Sequence, residues 1–586
     1  MLNKAIPCAA LLALIATAAH GAAPSWVTRS DENSQLLLQT EARYAPENAS
    51  EIGVDGYDEA ITDYSRDNFA AENRDLEQVI AVYQKRLGRE SDPKVKQDLQ
   101  ILITAAQDNL RSRALDRKYF FPYIDVTRRI FGVVRGMLDP RIPPERQKTL
   151  LRRLEKYSGV AKGYRPATEL AKQRTLERIK ANGKLLGPFK GEVDTGLAEA
   201  PTLLAGIQQL LADSQLHGWE PSFAALQIQL ADYNNWIKTE ILPRARADNR
   251  LPAEVYADNL RHYGVDISPD ELIARALTAF AEIRNQMNIT AALIAKEQGL
   301  PDSDYRAVIR KLKEQQIPTD QLMGLYHDRL AQIEAAVRAN HIVTLPERAA
   351  VIRLATPAEN AQVPAPHMNP PRLIGNTGEY GEFVLATGMS ADASGASLPY
   401  DDFSHQAMSW TLTAHEARPG HELQFARMVE GGVSIARAVF AFNSVNVEGW
   451  GLYAEAEMQP YEPLDGQLFT LQARAQRAAR AFLDPMINLG QLTPEQAKTF
   501  LMDEVGLSEG MATSEMQRYA FRAPGQATSY FYGYQRLMET REAAQLALGV
   551  SFNRQAFNDF ILAQGLLPPR LLRQAVMDEF VPAQRP

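Results

Sequence analysis

Apolar residues recur every three to four positions through most of this chain, which predicts a mainly α-helical protein. From Asp58 to about Pro346 the pattern is almost wholly of that kind. Val95 to Arg117 sets Leu99, Leu102, Leu110 and Leu115 among charged residues without glycine or proline, so one long helix is expected there. Pro269 to Lys296 behaves the same way, with Ser268 as its N-cap and Glu271 three residues on. Thr319 to Asn340 is a third such segment. Pro143-Pro144, Gly183, Gly187-Pro188 and Pro252 punctuate helices, and no fixed-period repeat is present.

The pattern changes after Leu345. Val351 to Leu354 is a short β-like run, and the prolines between Pro357 and Pro371 predict an extended connection. Phe383 to Ala386 reads as a strand, followed by a Gly/Ser/Ala/Asp-rich loop from Gly388 to Leu398. Helical character resumes near Phe403. The expected fold is mainly α with a small β element. Residues 22–345 form a helical N-terminal region and residues 346–586 a second region, either apart or as one continuous fold.

Composition narrows the class. The 586 residues are 45% hydrophobic and 23% charged, which excludes wholesale disorder and leaves material for a sizeable core. A net charge of −8 gives no general basic footprint, so no nucleic acid partner is expected. Residues 1–21 read as a secretory signal peptide: Lys4 is the basic start, Ala5 to Ala18 the apolar stretch, and Ala19-His20-Gly21 the cleavage site. Pro7 and the early position of Cys8 argue against lipidation there. Cleavage after Gly21 removes Lys4 and Cys8, leaving a cysteine-free chain of charge 62 − 71 = −9. No other stretch approaches a membrane-spanning length, so a periplasmic or secreted protein without stable membrane insertion is expected. Nothing in the pattern reports an oligomeric state.

The chemistry concentrates late in the chain. His405, His415 and His421 cluster, and the centre reads His415-Glu416-Ala417-Arg418-Pro419-Gly420-His421. Helical zinc hydrolases place two histidines four apart, on one face, with a glutamate between them as base. Here the histidines are six apart, about 120° from each other on an unbroken helix. Pro419 and Gly420 permit a break that brings the second imidazole back; the alternative is a helix end carrying structural histidines. Glu448 follows in an apolar run, where a carboxylate needs a partner or a metal. Glu455, seven residues on, shares its face and can hydrogen-bond a ligating histidine.

Three ordered motifs carry a resemblance. These are His415-Glu416-x-x-Pro419-Gly420-His421-x-x-Gln424, then Glu448-Gly449-Trp450-x-Leu452-Tyr453-x-Glu455, then Arg518-Tyr519 with Pro524-Gly525-Gln526-Ala527-x-Ser529-Tyr530-x-x-Gly533. Together with Tyr44-Ala45-Pro46-Glu47-x-Ala49 and Gly56-Tyr57-Asp58, they resemble the bacterial family known as domain of unknown function 885, over nearly the whole chain after residue 21. The resemblance implies a large helical, zincin-like fold of the gluzincin type, with Zn²⁺ on His415, His421 and Glu448. Glu422 departs from the family's usual second histidine, a change expected to alter the rim of the site. The family supplies no substrate.

These residues lead to an expected activity. The chain is read as an exported zinc metallopeptidase acting on short peptides, with a zinc-activated water and Glu416 as general base. Tyr530 is the first candidate for oxyanion stabilisation and Arg518 the second. The Phe383–Ala386 strand is expected to pair with an extended peptide. His405 is expected to cap a helix or bond within the core. The main rival is a non-catalytic protein of the same fold that binds peptides or cell-wall fragments. A metal-free helical scaffold is a second rival. A serine hydrolase is disfavoured, because Gly388-Met389-Ser390-Ala391-Asp392 lacks the second glycine of a nucleophile elbow.

Overall fold

The long helices begin and end where local chemistry dictates. The computed structural model describes residues 25–585, except 357–358, 361–362, 364, 377, 387–397 and 399. The expected signal peptide and the Gly388–Asp392 segment therefore lie outside the described residues. Helices α1 (Ser25–Tyr44), α2 (Phe69–Leu87) and α3 (Pro93–Tyr119) pack together near the start of the chain. Asp92 caps α3 by accepting from the Lys94 and Val95 amides, with Pro93 at its first turn. Helix α4 (Pro269–Gln298) is capped by Ser268, which accepts from Glu271 N at 3.2 Å, and stops at Gly299 with φ +65°. Helix α5 (Thr319–Ala339) follows.

The β element is a three-stranded sheet of β1 (Val351–Leu354), β2 (His367–Asn369) and β3 (Glu382–Leu385), in the order β1-β3-β2. β1 runs parallel to β3, with Ile352 opposite Phe383; β2 runs antiparallel to it, with Met368 opposite Phe383. Two expectations change here. The proline-rich connection contains a strand, β2, which its brevity hid from any periodicity. And β3, the strand expected to receive a peptide, is internal: both its edges are already paired. The sheet edge nearest the chemistry belongs to β2.

Helices α6 (Met408–Glu416), α7 (His421–Gly431), α8 (Ser444–Met458), α9 (Leu464–Asn488) and α10 (Ser529–Leu548) build the second region. α9 lies along α4, and Phe280, Phe482 and Phe500 interlock there with ring centroids 5.3–5.8 Å apart. One core joins Leu272, Phe280 and Tyr326 from the first region to Phe383, Phe469 and Phe531 from the second. Each such side chain contributes roughly 1.5–3 kcal/mol by leaving water, so the two regions are tied through a shared interior. Among the described residues no helix is long and apolar enough to cross a membrane.

Candidate metal centre

The awkward six-residue spacing is resolved by a break in the helix. α6 ends at Glu416, Ala417 departs from helical angles (φ −98°, ψ −105°), and a new helix opens at His421. Gly420 lies so close to the preceding turn that a Cβ there would stand 1.9 Å from the His415 carbonyl oxygen. The Trp450 indole donates to the carbonyls of Pro419 (3.0 Å) and Gly420 (3.3 Å), satisfying acceptors that the break releases. Buried Arg418 braces it from the other side. Its guanidinium bonds Glu422 (2.7 Å), Glu334 (2.6 Å) and the Arg348 carbonyl (3.0 Å). Glu422 is thus fully buried and bridges Arg418 to Arg348 (2.7 Å); it is not on the rim. Its two cations hold the carboxylate inside.

The break turns the imidazoles toward one another. His415 Nε2 and His421 Nε2 are 3.1 Å apart, and Glu448 Oε2 lies 3.5 Å and 3.4 Å from them. Tetrahedral zinc with bonds of about 2.0–2.1 Å sets neighbouring donors roughly 3.3–3.4 Å apart, so this triangle has the right size. Glu448 Oε2 is buried without a hydrogen-bond donor, an arrangement that a cation would complete. The donor set fits zinc: two imidazole nitrogens and one carboxylate oxygen. Among the described residues, this is the group of histidines, cysteines and carboxylates whose donor atoms converge in this way.

Neighbours fix each donor. Asn443 caps α8 by accepting from Asn446 N at 2.8 Å, which sets the helical phase of Glu448. Glu455 Oε1 bonds His415 Nδ1 at 2.7 Å, leaving Nε2 for the centre. Arg477 backs Glu455 at 3.4 Å. Burial disfavours a charged His415, but the adjacent Glu448 carboxylate and the hydrogen bond to Glu455 outweigh it and raise its pKa to about 9. Burial likewise opposes charge on Glu448, and the two histidines reverse this, holding it well below the usual carboxylate range. The pocket is one that welcomes positive charge.

Glycines let the elements approach. A Cβ at Gly451 would stand 2.4 Å from His415 Cε1, so the imidazole rests against bare α8 backbone. At the crossing of α8 and α10, a Cβ on Gly449 would stand 2.5 Å from the Gly533 carbonyl carbon. That contact draws Tyr530 to the site: its ring stacks on His415 at 6.2 Å and 15°.

Glu416 and the third motif complete the surroundings. Glu416 Oε1 is 4.0 Å from His415 Nε2, while Oε2 accepts from the Met368 amide of β2 at 2.8 Å. The edge strand therefore holds this carboxylate. Tyr530 OH accepts from Arg518 at 3.1 Å, which turns the phenolic hydrogen away from Arg518. Burial raises the Tyr530 pKa against the opposing arginine charges, so the phenol remains a donor at neutral pH. Arg480 lies 4.4 Å from the same ring and pairs with Glu515 at 2.6 and 2.9 Å. His405 is remote from the metal donors: its Nδ1 accepts from Met408 N at 3.4 Å at the start of α6. Arg477, Arg480, Gly451 and the β2 amide escaped sequence reading. Only the spacing of Arg477 and Arg480 on one face of α9 offered any signal.

Across the molecule, Arg141 grips the strand that holds Glu416. Its Nη1 donates to the carbonyls of Asn369 (3.4 Å), Pro370 (3.2 Å) and Tyr380 (2.9 Å), backed by both oxygens of Asp139. On the other flank, Glu199 bonds Arg522 at 2.7 Å and Phe189 packs on Phe521 at 5.9 Å. The N-terminal region thus touches both sides of the centre.

Comparison with known proteins places this arrangement in a family. Solved structures that share the fold include two bacterial proteins. A candidate lipoprotein of unknown function from Shewanella oneidensis is 19% identical with a TM-score of 0.69, over 95% of this chain and 100% of that one. A candidate lipoprotein from Colwellia psychrerythraea is 17% identical with a TM-score of 0.75, over 94% and 99% respectively. At such identities the likeness is one of fold. A search of curated proteins finds no match. The family model described as "Bacterial protein of unknown function (DUF885)" matches residues 46–576, and the chain belongs to that family.

Proposed function

We propose that this protein is an exported zinc-dependent hydrolase of peptide bonds in short peptides, with a zincin-like, gluzincin-type site. The observation that carries the proposal is the 3.1–3.5 Å triangle of His415, His421 and Glu448 with the Glu416 carboxylate beside it. His415, His421 and Glu448 would hold the zinc. When bound, zinc supplies Lewis-acid charge that polarises a carbonyl and acidifies water. Glu416 accepts a proton at Oε1, since Oε2 is engaged by Met368, and returns it to the leaving amine. Tyr530 donates to the oxygen that gains charge, with Arg518 polarising the phenol from behind. Glu455 keeps His415 in the tautomer that presents Nε2. Contacts from the N-terminal region on both flanks of the centre favour short peptides over folded proteins. The two fold relatives are described as candidate lipoproteins, which supports export.

The test is mass-spectrometric profiling of a peptide library treated with wild type and Glu416→Gln. Cleavage by the wild type alone, with equal zinc in both, is expected. Zinc in the wild type without any cleavage would favour the peptide-binding alternative.

A further inference from the structure

Charge is unevenly spread along this chain. Residues 141–190 carry 14 lysines and arginines against four glutamates, a net charge of 14 − 4 = +10, while the whole chain carries −8. Two helices span much of this stretch, Thr149–Ser158 and Ala167–Ala181. Their inner faces, with Leu150, Leu154, Ala167 and Ala171, join a core built within the N-terminal region. Their outer side is left to solvent. There Glu155, Glu169 and Glu177 are answered by Arg152 (2.6 Å), Lys172 (3.1 Å) and Arg174 (2.6 Å) of the same helices. Among the described residues no carboxylate pairs with Lys156, Lys162, Arg165 or Lys180; Lys156 donates to the Glu59 carbonyl and Arg165 to the Gln173 amide oxygen.

The loop joining the two helices, residues 159–166, belongs to this basic side and is built to be rigid. Its ends meet: a Cβ on Gly159 would stand 2.7 Å from the Pro166 nitrogen. Ala161 is buried as a pin, its amide donating to the Glu155 carbonyl at 3.0 Å and its carbonyl accepting from Tyr164 N at 3.0 Å. This frame holds Val160 (55% exposed) and Tyr164 (42% exposed) out in water, with Lys162 between them. The Lys156 ammonium lies 5.4 Å over the Tyr164 ring. The 3.2 Å bond from Arg165 to Gln173 sets the loop against the outer face of the second helix, where Leu176 (42% exposed) and Lys180 follow at helical spacing. One continuous surface thus combines four unpaired cations with three exposed apolar side chains.

We infer that this surface docks on an anionic phospholipid bilayer, with Lys156, Lys162, Arg165 and Lys180 at the headgroup phosphates and Val160 and Tyr164 seated at the acyl boundary. This is association at the surface, without insertion of a helix. The apolar residues decide the partner. A soluble polyanion rewards the cations alone. A bilayer also takes up the valine and the tyrosine ring, whose hydroxyl stays at the wet interface. The choice of a lipid surface rests on the reading that the chain is exported. It depends neither on the metal nor on hydrolysis, and no residue of the metal centre takes part.

The experiment is co-sedimentation of the exported protein with vesicles of equimolar phosphatidylglycerol and phosphatidylcholine, and with vesicles of phosphatidylcholine alone. Binding is expected to the anionic vesicles only, and to weaken as salt rises. Lys162→Gln, Arg165→Gln and Lys180→Gln together should weaken it about a hundredfold. Val160→Ser with Tyr164→Ser leaves every charge in place and should weaken it roughly tenfold. All five positions are exposed, each variant is checked for an unchanged melting temperature, and either one suffices. Absence of binding to the anionic vesicles, or equal binding to both kinds, would overturn the inference. So would wild-type binding by the Val160→Ser, Tyr164→Ser protein, which would mark the surface as one for soluble polyanions. Failure of the wild type to hydrolyse peptides would refute the proposed function and leave these measurements standing.

Discussion

Replacing Gly451 by alanine puts the geometry under its most local stress. The new Cβ would stand 2.4 Å from His415 Cε1 and 2.8 Å from both ring nitrogens. Ordinary contact begins at 3.4 Å, so the ring must retreat by 3.4 − 2.4 = 1.0 Å. It cannot do so freely. Nδ1 is held by Glu455 at 2.7 Å, and α8 cannot recoil because Gly449 is already pressed against Gly533. Overpacking at a buried position costs about 1–3 kcal/mol. Disturbing the bond that orients a ligating histidine lowers metal affinity about 10–100-fold. Gly324→Ala is the control: it is exposed in α5, a Cβ there meets nothing within 4 Å, and the helix gains about 0.5–1 kcal/mol. Urea unfolding of metal-free protein reads the first quantity, and zinc titration against a chromogenic chelator the second. A Gly451→Ala protein that matched wild type in both would refute the packing argument.

Two other perturbations probe separate parts of the account. Arg141→Ala removes the donor that ties the end of β2, at Asn369 and Pro370, to Tyr380 ahead of β3; kcat should fall roughly tenfold, the scale of one charged hydrogen bond, with zinc content unchanged. Steady-state kinetics with elemental analysis checks this, and an unaltered kcat would show that Glu416 needs no such support. Burial, aided by Glu455 and opposed by Thr470, raises the Glu462 pKa to about 8, so the folded chain keeps a proton that the unfolded chain has lost above about 4.5. Stability contributed by this group therefore declines as pH rises from about 4.5 to 8. Glu462→Gln should be more stable than wild type by roughly 2–4 kcal/mol at pH 9 and equal to it at pH 4, measured by urea unfolding. Equal stability at both pH values would remove Glu462 from the buried acids.

Long periodic segments were legible in the sequence, because helical spacing over twenty or more residues leaves little ambiguity; α3, α4 and α5 begin and end within a few residues of expectation. Residues His415, His421 and Glu448 were nameable as a set, since a glutamate in an apolar run and histidines around a Pro-Gly step both ask for a structural reason. Their convergence was not derivable from spacing. It depends on Trp450 and Arg418 holding the break, which are contacts between distant segments. β2 was missed because three residues carry no period, and that omission led to β3 being taken as the receiving strand. The rim expectation for Glu422 rests on its departure from the family's second histidine, and the two arginines that hold it inside are visible only in the fold. The role of Gly451 is a steric one, and only the opposing imidazole reveals it.

Elemental analysis of untagged protein, purified without added metal, tests the central claim most directly. The account predicts one zinc per chain, retained in Glu416→Gln and lost when His415, His421 and Glu448 are replaced by alanine. Protein that carries no metal and takes up none, or that keeps its zinc after all three replacements, would contradict it.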